Sequence, residues 1–461
     1  MVQPLQRVLV ANRGEIACRI VETCRAMGLT SIAVYSEADA HARHVALADV
    51  AAPIGPAPAT QSYLNQDTIL EAARAHGADA VHPGYGFLAE NAGFARAVWQ
   101  AGLIWVGPHP DTVEKMGLKE RARELARAAG VPLLPASEAV TDTDLSSLAN
   151  AGAAIGYPLL VKASAGGGGI GIQRVEHSDD LAKTAEQTAS MARRTFGDGT
   201  IYLERLVPHA RHIEVQVFGD GAGGVVHLGE RECSVQRRFQ KVVEESPAPG
   251  LPDDVRTKMC SAAAALARHV AYAGAGTVEF VVDAATQEFF FLEMNTRIQV
   301  EHPVTEMRSG LDLVELQLRQ ARGDGDVLRA ADVPLTGAAI ECRIYAEKPE
   351  KRFIPSTGTL EIFQLPAKAA GLRVDTGLRA GDVVTRHYDP MIAKLIVYGD
   401  TRSEALAHMS ESLRRVEIAG VATNCGMLER LLAHPPFVAG ELATDFLDQH
   451  RQPLTDPQAM A

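Results

Sequence analysis

Two acidic residues lie inside unusually apolar segments of this chain, Glu279 and Glu293. A turn at 283–287 sets the two segments side by side as strands, so Glu279 and Glu293 are expected to face one another, with Asn295 on the side of Glu293. Facing carboxylates repel unless a cation lies between them, and oxygen ligands suit Mg²⁺ bound with nucleotide phosphates. The alternative is two rim carboxylates on opposite faces. The apolar surroundings favour the metal site.

A glycine-rich segment lies between two predicted strands and contains Gly166, Gly167, Gly168, Gly169 and Gly171. It formally matches the dinucleotide pattern G-x-G-x-x-G, but that pattern opens a helix, and the Lys-Ser or Lys-Thr of a P-loop is missing. The glycines therefore predict a flexible flap whose N–H groups bind nucleotide phosphates, with a mobile surface hairpin as the alternative. Lys162, on the strand entering the flap, is assigned to those phosphates, whereas Lys119 begins a helix and by itself leaves its role open.

The segment 295–306 follows a predicted buried strand and is dense in polar residues. Arg297 offers a planar fork for a carboxylate or bicarbonate, and Glu301 could act as a general base. A basic cluster at 236–241 suggests an anionic substrate. Its alternative is a surface cluster paired with Glu244 and Glu245.

The elements around these residues fall into three regions. Residues 1 to about 115 alternate strands and helices, which predicts an open α/β domain with a mostly parallel sheet. A small α+β unit then surrounds the glycine segment, an antiparallel sheet follows, and a third region begins near 335. Strands are predicted at 7–11, 31–35, 80–82, 104–106, 157–162, 172–175, 200–203, 212–217, 225–228, 277–282, 288–295, 340–345, 358–364 and 391–398. Helices are predicted at 14–27, 67–76, 90–101, 118–130, 179–194, 253–272 and 401–418, with a frayed end over the last ten residues.

Composition excludes several classes of protein. The 461 residues carry a net charge of −12, which argues against general nucleic-acid binding and against an anionic membrane surface. No apolar run reaches the roughly 18 residues needed to span a bilayer. The six cysteines form no C-x-x-C pair and are typical of a reducing compartment. We expect a cytoplasmic protein that binds neither nucleic acid nor membrane.

Several long motifs resemble the biotin carboxylase component of biotin-dependent carboxylases, a family of ATP-grasp enzymes. They follow the family's order over about residues 5–445. The matching segments are ANRGEI at 11–16, HPGYGFL at 82–88, KAS at 162–164 with the glycine segment, KVVEE at 241–245, EMNTRIQVEHPVTE at 293–306 and ECRI at 341–344. The resemblance implies an ATP-grasp fold of α/β and α+β domains. It comprises an N-terminal domain at 1–115, an ATP-grasp domain at 116–330 with a lid at about 134–204, and a C-terminal antiparallel-sheet domain at 335–445.

The resemblance also implies the site residues. ATP is expected at Lys119, Lys162, Gly167, Gly168, Gly169, Glu204, Arg205, Leu206, Val207, His212, Gln236, Glu279 and Glu293. Mg²⁺ or Mn²⁺ is expected at Glu279, Glu293 and Asn295. Bicarbonate is expected at Lys241, Arg297, Gln299 and Val300.

The implied reaction is the carboxylation of biotin. Glu301 deprotonates bicarbonate, which attacks the γ-phosphorus of ATP to give carboxyphosphate and ADP. Carboxyphosphate decomposes to CO₂ and phosphate, the phosphate takes the ureido proton of biotin, and Arg343 stabilises the biotin enolate. The expected catalytic residues are Lys241, Arg297, Glu301 and Arg343.

The sequence departs from the family pattern at several positions. Phe239 stands where the family has a histidine that touches the nucleotide, and Ile170 replaces a basic residue of the glycine segment. The other departures are Leu118, Ala165, Tyr345 and Pro390. The changes at Phe239 and Ile170 remove polar contacts near ATP. Each lost charge-assisted hydrogen bond costs about 1.5–3 kcal/mol, so we expect the affinity for ATP to fall by one to two orders of magnitude.

The expected partners follow from the same resemblance. No Met-Lys-Met biotinylation segment is found, so the biotin carboxyl carrier protein and the carboxyltransferase are expected on separate chains, and family members are often homodimers. The chain is expected to supply the first half-reaction of an acyl-CoA-type carboxylase such as acetyl-CoA carboxylase. The alternatives are another ATP-grasp carboxylate–amine ligase and a catalytically weakened paralogue acting as a nucleotide-binding or regulatory subunit.

Overall fold

The computed structural model describes residues 5–141, 144, 147–164, 171–324, 327 and 333–456. The helices are α1 Gly14–Ala26, α2 Arg43–Leu47, α3 Gln66–Ala75, α4 Ala92–Gln100, α5 Pro110–Gly117, α6 Lys119–Ala128, α7 Leu148–Ile155, α8 Ser178–Phe196, α9 Asp253–His269, α10 His302–Ser309, α11 Leu313–Arg322, α12 Arg402–Leu413, α13 Cys425–Ala433, α14 Pro435–Ala439, α15 Phe446–Gln449 and α16 Arg451–Thr455. The strands are β1 Arg7–Val10, β2 Thr30–Tyr35, β3 Val50–Pro53, β4 Ala80–His82, β5 Ile104–Trp105, β6 Leu159–Ala163, β7 Ile172–Val175, β8 Ile201–Arg205, β9 Ala210–Asp220, β10 Val225–Arg237, β11 Gln240–Ser246, β12 Ala273–Asp283, β13 Phe289–Asn295, β14 Ala338–Tyr345, β15 Glu347–Lys348, β16 Ile354–Pro355, β17 Gly358–Thr359, β18 Ile362–Gln364, β19 Leu372–Asp375, β20 Val383–Val384, β21 Met391–Gly399 and β22 Glu417–Ala419. Among the described residues, no helix is both long enough and apolar enough to cross a bilayer.

The N-terminal region is built on a five-stranded parallel sheet in the order β3-β2-β1-β4-β5. This confirms the predicted open α/β domain. The short strand β3 and helix α2 were not predicted, because β3 ends in a proline and α2 has only five residues.

A three-stranded antiparallel sheet in the order β7-β6-β8 carries the strands on either side of the glycine segment. Helices α7 and α8 pack on it through a small core that contains Leu159, Val161 and Leu181. The predicted hairpin between β6 and β7 is confirmed by their antiparallel pairing. Residues 165–170 lie outside the described residues, and these include Gly167, Gly168, Gly169 and Ile170.

The largest element is an eight-stranded antiparallel sheet in the order β13-β12-β9-β10-β11-β14-β21-β19. Its strands come from both sides of the expected boundary near 330–335. The pairing of β11 with β14 joins the two parts, with Glu244 opposite Glu341. One continuous sheet can therefore hold side chains from both regions in a single site.

Strand β9 alternates polar and apolar residues, as the sequence indicates, but both of its faces are buried. Ile213, Val215 and Val217 belong to the core that α9 covers. The opposite face carries His212, Glu214 and Gln216, all buried. Such alternation predicts a half-buried strand, and this is wrong here because other strands of the sheet supply partners for the polar side: Arg231 on β10, Lys241 on β11 and Glu279 on β12.

Two predicted elements in the C-terminal region differ in the structure. The strand predicted at 358–364 is divided into β17 and β18, which pair with β20 and β22 in separate small sheets. The helix predicted at 401–418 ends at Leu413, and β22 takes up the β-branched end of that segment. The predicted frayed end is wrong for α16, whose Leu454 is buried.

The polar turn before α1 clamps a neighbouring loop. The Asn12 side-chain amide donates to the carbonyls of Pro83 and Tyr85, at 2.7 Å each, and its Oδ1 accepts from the Arg13 N–H at 2.9 Å. The polar residues at 11–15 are compatible with either a helix cap or a substrate-facing loop. The N-cap position is held by Arg13 without a side-chain cap bond, so Asn12 acts as a structural clamp.

Asn12→Ala is expected to lower the free energy of unfolding by about 2–3 kcal/mol, because it leaves the buried Pro83 carbonyl and the part-buried Tyr85 carbonyl without this donor. Chemical denaturation monitored by circular dichroism measures this loss. The matched control is Asn65→Ala, which removes one N-cap bond to the Thr68 N–H and is expected to cost about 1 kcal/mol. Equal losses from the two variants would show that Asn12 is not a clamp.

Candidate functional site

A single lysine at the start of β11 binds three carboxylates. Lys241 Nζ lies 2.5 Å from Glu214 Oε2, 3.0 Å from Glu279 Oε1 and 2.6 Å from Glu301 Oε1. Burial alone would lower the pKa of Lys241, but the three carboxylates raise it well above its ordinary value. The ammonium group therefore stays charged at the centre of the site.

The two acids singled out from the sequence pair as predicted. Glu279 on β12 and Glu293 on β13 are directly opposite in the strand register. The Glu293 side chain is exposed, and the nearby negative charges of Glu279 and Glu90 raise its pKa. Glu279 Oε1 accepts from the amides of Asn295 and Gln299, at 2.9 and 2.8 Å. Carboxyl and amide groups that could hold a metal ion therefore converge here.

His212 lies on the buried polar face of β9, with Nε2 3.0 Å from Glu279 Oε2. Burial alone would lower the pKa of His212, but the Glu279 carboxylate raises it. Ligand atoms of His212, Glu214 and Glu279 lie within 4.8 Å of one another, as do those of Glu214, Cys233 and Glu301. Lys241 binds carboxylates from both groups, so a cation already balances them.

Glu301, the candidate base, is bound by two cations. Besides Lys241, the Arg343 guanidinium donates to Glu301 Oε2 at 2.9 Å. Burial alone would raise the pKa of Glu301, but Lys241, Arg343 and Arg231 lower it well below its ordinary value. Arg343 also contacts Glu244, which lies on the neighbouring strand β11. The Glu301 carboxylate is therefore charged, and it is hydrogen-bonded to Arg343, the residue expected to contact biotin.

Beneath the site, the fully buried guanidinium of Arg231 donates five hydrogen bonds. Its partners are Glu214 Oε1 and Gln216 Oε1 at 2.6 Å, Gln299 Oε1 at 2.9 Å, and the hydroxyls of Thr277 and Thr305 at 3.0 Å. Because all five donors are used, Arg231 fixes the side chains that surround Lys241.

The segment expected to bind bicarbonate is held at each of its three residues. Arg297 reaches Asn295 Oδ1 at 2.8 Å and Glu90 Oε2 at 3.1 Å. The amide of Gln299 bridges Arg231 and Glu279. The Val300 carbonyl accepts from Lys394 Nζ at 2.6 Å.

The two lysines expected at the nucleotide phosphates also converge. Lys162 Nζ lies 2.5 Å from Glu204 Oε1, and Arg123 lies 2.9 Å from Glu204 Oε2. Lys119 donates to the Ala163 carbonyl at 3.4 Å, and burial together with the Lys162 charge lowers its pKa. One carboxylate, Glu204, pairs with two cations, Lys162 and Arg123, so a net positive charge remains beside Lys119, where an anion would be stabilised.

The remaining residues expected at the nucleotide lie at the end of β8, just beyond it, and near the end of β10. Arg205 closes β8 and donates its N–H to the Pro135 carbonyl, and Val207 is buried just beyond it. Leu206 is partly buried between them. Gln236 lies opposite Lys241 in the β10–β11 register.

The basic cluster at 236–241 is a strand end and a tight turn. Arg238 and Phe239 form the turn with φ of 48° and 64°, and the Phe239 side chain is 62% exposed. The alternative of a surface cluster paired with Glu244 and Glu245 is wrong. Arg237 pairs with Glu347 instead, at 3.0 Å, while Glu244 contacts Arg343 and Glu245 pairs with Arg402.

Sequence reasoning missed four residues of the site: Glu90, Glu214, Arg231 and Lys394. Glu214 carried a signal, because it is an acid on a strand whose apolar partners mark a buried face. Arg231 and Lys394 carried none, since an isolated cation on a strand is usually solvated.

Family models match nearly the whole chain. They are the biotin carboxylase N-terminal domain at residues 4–113, the carbamoyl-phosphate synthase L chain ATP-binding domain at 119–327, and the biotin carboxylase C-terminal domain at 341–449. The expected ATP-grasp fold is confirmed by these matches together with the structural similarity reported below.

Two curated relatives illustrate the similarity in sequence. Biotin carboxylase 1 of Bacillus subtilis is 47% identical over 448 residues, which cover 97% of this chain and 99% of the relative. The mitochondrial methylcrotonoyl-CoA carboxylase subunit alpha of Dictyostelium discoideum is 46% identical over 458 residues, 99% of this chain. The chain spans 65% of the length of that second relative.

A solved structure is similar throughout. The biotin carboxylase domain dimer of the Hydrogenobacter thermophilus 2-oxoglutarate carboxylase, in complex with MgADP, ADP and bicarbonate, superposes with a TM-score of 0.93 at 42% identity. The match covers 98% of this chain and 99% of that one. With a buried carboxylate between two cations, paired acids on neighbouring strands and these matches, the chain belongs to the biotin carboxylase family of ATP-grasp ligases.

Proposed function

We propose that this chain catalyses the ATP-dependent carboxylation of biotin with bicarbonate. Bicarbonate attacks the γ-phosphorus of ATP, giving carboxyphosphate and ADP. Carboxyphosphate breaks down to CO₂ and phosphate, the phosphate takes the ureido proton, and the biotin nitrogen attacks CO₂ to give carboxybiotin. The observation that carries this proposal is the buried Glu301 carboxylate held between Lys241 and Arg343.

Glu301 is the proposed base, and the contacts suggest how its strength is controlled. While Lys241 and Arg343 both stabilise its charge, Glu301 is a weak base. A bicarbonate ion bound by Lys241, Arg297, Gln299 and Val300 shares the first of these cations. That sharing draws positive charge away from Glu301, so its pKa rises as the substrate arrives and proton transfer becomes favourable.

The residues present fit a divalent cation. Glu279 and Glu293 face one another, and Asn295 adjoins them. The negative charge of Glu279 raises the pKa of Glu293, and a metal ion bound by both carboxylates would offset this repulsion. Oxygen ligands suit Mg²⁺ and Mn²⁺. When bound, the ion neutralises phosphate charge. Lys119 and Lys162 are proposed to bind the phosphates from the other side, together with the glycine segment.

Arg343 is proposed to stabilise the enolate form of biotin. Its guanidinium is already fixed by Glu244 and Glu301, so little side-chain freedom is lost when biotin binds. A donor held in place before the charge develops stabilises that charge without reorganisation.

The domains and partners remain proposals. We propose domains at 1–115, 116–330 with a lid at about 134–204, and 335–445, in agreement with the order of the family matches. Biotin is proposed to arrive on a carrier protein, and the carboxyl group to pass to a carboxyltransferase. A homodimer is proposed because the Hydrogenobacter thermophilus domain is a dimer.

The acyl acceptor is proposed to be chosen outside this chain. Related proteins are named for different acceptors, including methylcrotonoyl-CoA and 2-oxoglutarate, although they share this fold. Acetyl-CoA and fatty-acid synthesis are therefore one possibility among several. A cytoplasmic location stays a prediction, since relatives include mitochondrial proteins.

Purified protein with ATP, Mg²⁺ and bicarbonate is expected to release ADP, and free biotin is expected to increase the rate. Glu301→Gln is expected to lower this rate about 10²–10⁴-fold, because the amide cannot accept the bicarbonate proton. Glu288→Gln, at an exposed position, is the control and is expected to match the wild type. ADP release that does not depend on bicarbonate would falsify the proposed function. Activity with an amine and a carboxylate as substrates would identify a different ATP-grasp ligase.

Glu293→Gln is expected to raise the Mg²⁺ concentration needed for half-maximal ADP release by about tenfold or more, because one carboxylate ligand is lost. A Mg²⁺ titration at saturating ATP measures this shift, with Glu288→Gln again as the control. An unchanged Mg²⁺ requirement would place the metal elsewhere.

Phe239→His is expected to lower the KM for ATP about tenfold, since the new ring can donate a hydrogen bond to the nucleotide from the exposed turn. Histidine also tolerates the positive φ of this position better than phenylalanine does. Phe239→Leu is the control, because it changes the side chain without adding a donor. If both variants keep the wild-type KM, Phe239 does not weaken ATP binding.

A further inference from the structure

A completely buried lysine lies behind the segment that carries the proposed base. Lys394, on β21, has no solvent exposure. Its Nζ donates to the Val300 carbonyl at 2.6 Å and lies 3.3 Å from a carboxylate oxygen of Glu15. Glu341 and Asp375 lie farther away, at 3.8 and 3.9 Å. Lysine is almost never fully buried unless it is paired, so these partners justify its position.

The bond to Val300 acts on the peptide unit that joins Val300 to Glu301. The carbonyl of Val300 and the N–H of Glu301 belong to one rigid plane. Glu301 then precedes α10, and its own side chain makes no cap bond to that helix. Fixing this peptide therefore sets where the Glu301 side chain begins, while its carboxylate stays available to Lys241 and Arg343.

Lys394 also connects three parts of the chain. Glu15 lies in the first turn of α1, Val300 follows β13, and Glu341 lies on β14 beside the lysine's own strand. The first of these parts also packs closely against the loop after β19. A Cβ added at Gly377 would lie 2.5 Å from the Gly14 carbonyl carbon, so the two backbones leave no room for a side chain between them.

We infer that Lys394 is a positioning residue of the proposed bicarbonate site: through the Val300 carbonyl it orients Val300 and Glu301, and through Glu15 it ties the N-terminal region to the same point. The inference rests on the proposed function. No proton transfer is assigned to Lys394, because its ammonium group is fully buried and bonded to the Val300 carbonyl.

Lys394→Met tests the inference, because methionine keeps much of the side-chain volume and removes the donor. The KM for bicarbonate is expected to rise at least about tenfold, with a lower kcat, while the KM for ATP stays within about twofold. A purely structural role would lower the melting temperature and the active fraction. It would leave the bicarbonate KM of the folded molecules unchanged, because KM does not depend on the amount of active enzyme.

Glu341→Gln is the matched control. It changes a partner of Lys394 that lies 3.8 Å away, keeps the size of the side chain and leaves the bond to Val300 in place. Its bicarbonate KM is expected to equal that of the wild type. If Lys394→Met does not fold, Lys394→Gln serves instead: its polar head suits the carboxylates, its shorter chain does not reach Val300, and the bicarbonate KM is again expected to rise.

The outcomes separate the inference from the function on which it rests. A folded Lys394→Met or Lys394→Gln protein with the wild-type bicarbonate KM overturns the positioning role alone. A wild-type protein whose ADP release does not respond to bicarbonate overturns the proposed function, and the inference with it.

Discussion

The charge balance around Lys241 is the constraint on which the site depends. Glu214, Glu279 and Glu301 come from three separate segments, and all three would repel one another without the ammonium group between them. Removing one partner of a buried ion pair leaves an uncompensated charge, which costs about 3–5 kcal/mol. Three carboxylates and one lysine therefore form a unit that holds β9, β11, β12 and the start of α10 in one arrangement.

Three further buried cations, Arg231, Arg343 and Lys394, stabilise the residues around this group of charges. Arg231 uses its five donors below Lys241, Arg343 joins the base to the expected biotin side, and Lys394 holds the peptide before Glu301. Each of these buried cations has polar partners from more than one segment. An arrangement of this kind is rigid before substrate arrives, which is what electrostatic catalysis requires, because donors that are already oriented need no reorganisation in the transition state.

The eight-stranded sheet makes the arrangement possible. Its antiparallel strands place side chains from residues 210–399 on one surface, while α9 and α12 cover different parts of the other surface. Both faces are buried, and this explains why the polar face of β9 is not solvated. Strands of a sheet hold their side chains at fixed spacing, so acids and cations meet with little freedom to separate.

The sequence by itself determined the family, the parallel N-terminal sheet, the β6–β7 hairpin and the pairing of Glu279 with Glu293. These features are local, or they rest on long motifs: a turn of a few residues brings β12 and β13 together and their period of two sets the facing residues.

The division of the 358–364 segment, the end of α12 at Leu413 and the partners of Arg237 and Glu245 depend on packing with distant elements. So do the contacts of Lys241, which reach 27, 38 and 60 residues along the chain, and the bond from Lys394 to Val300 across 94. Only the tertiary structure decided them, because which cation is buried beside which acid depends on how the strands are ordered in the sheet, and no local pattern of residues encodes that order.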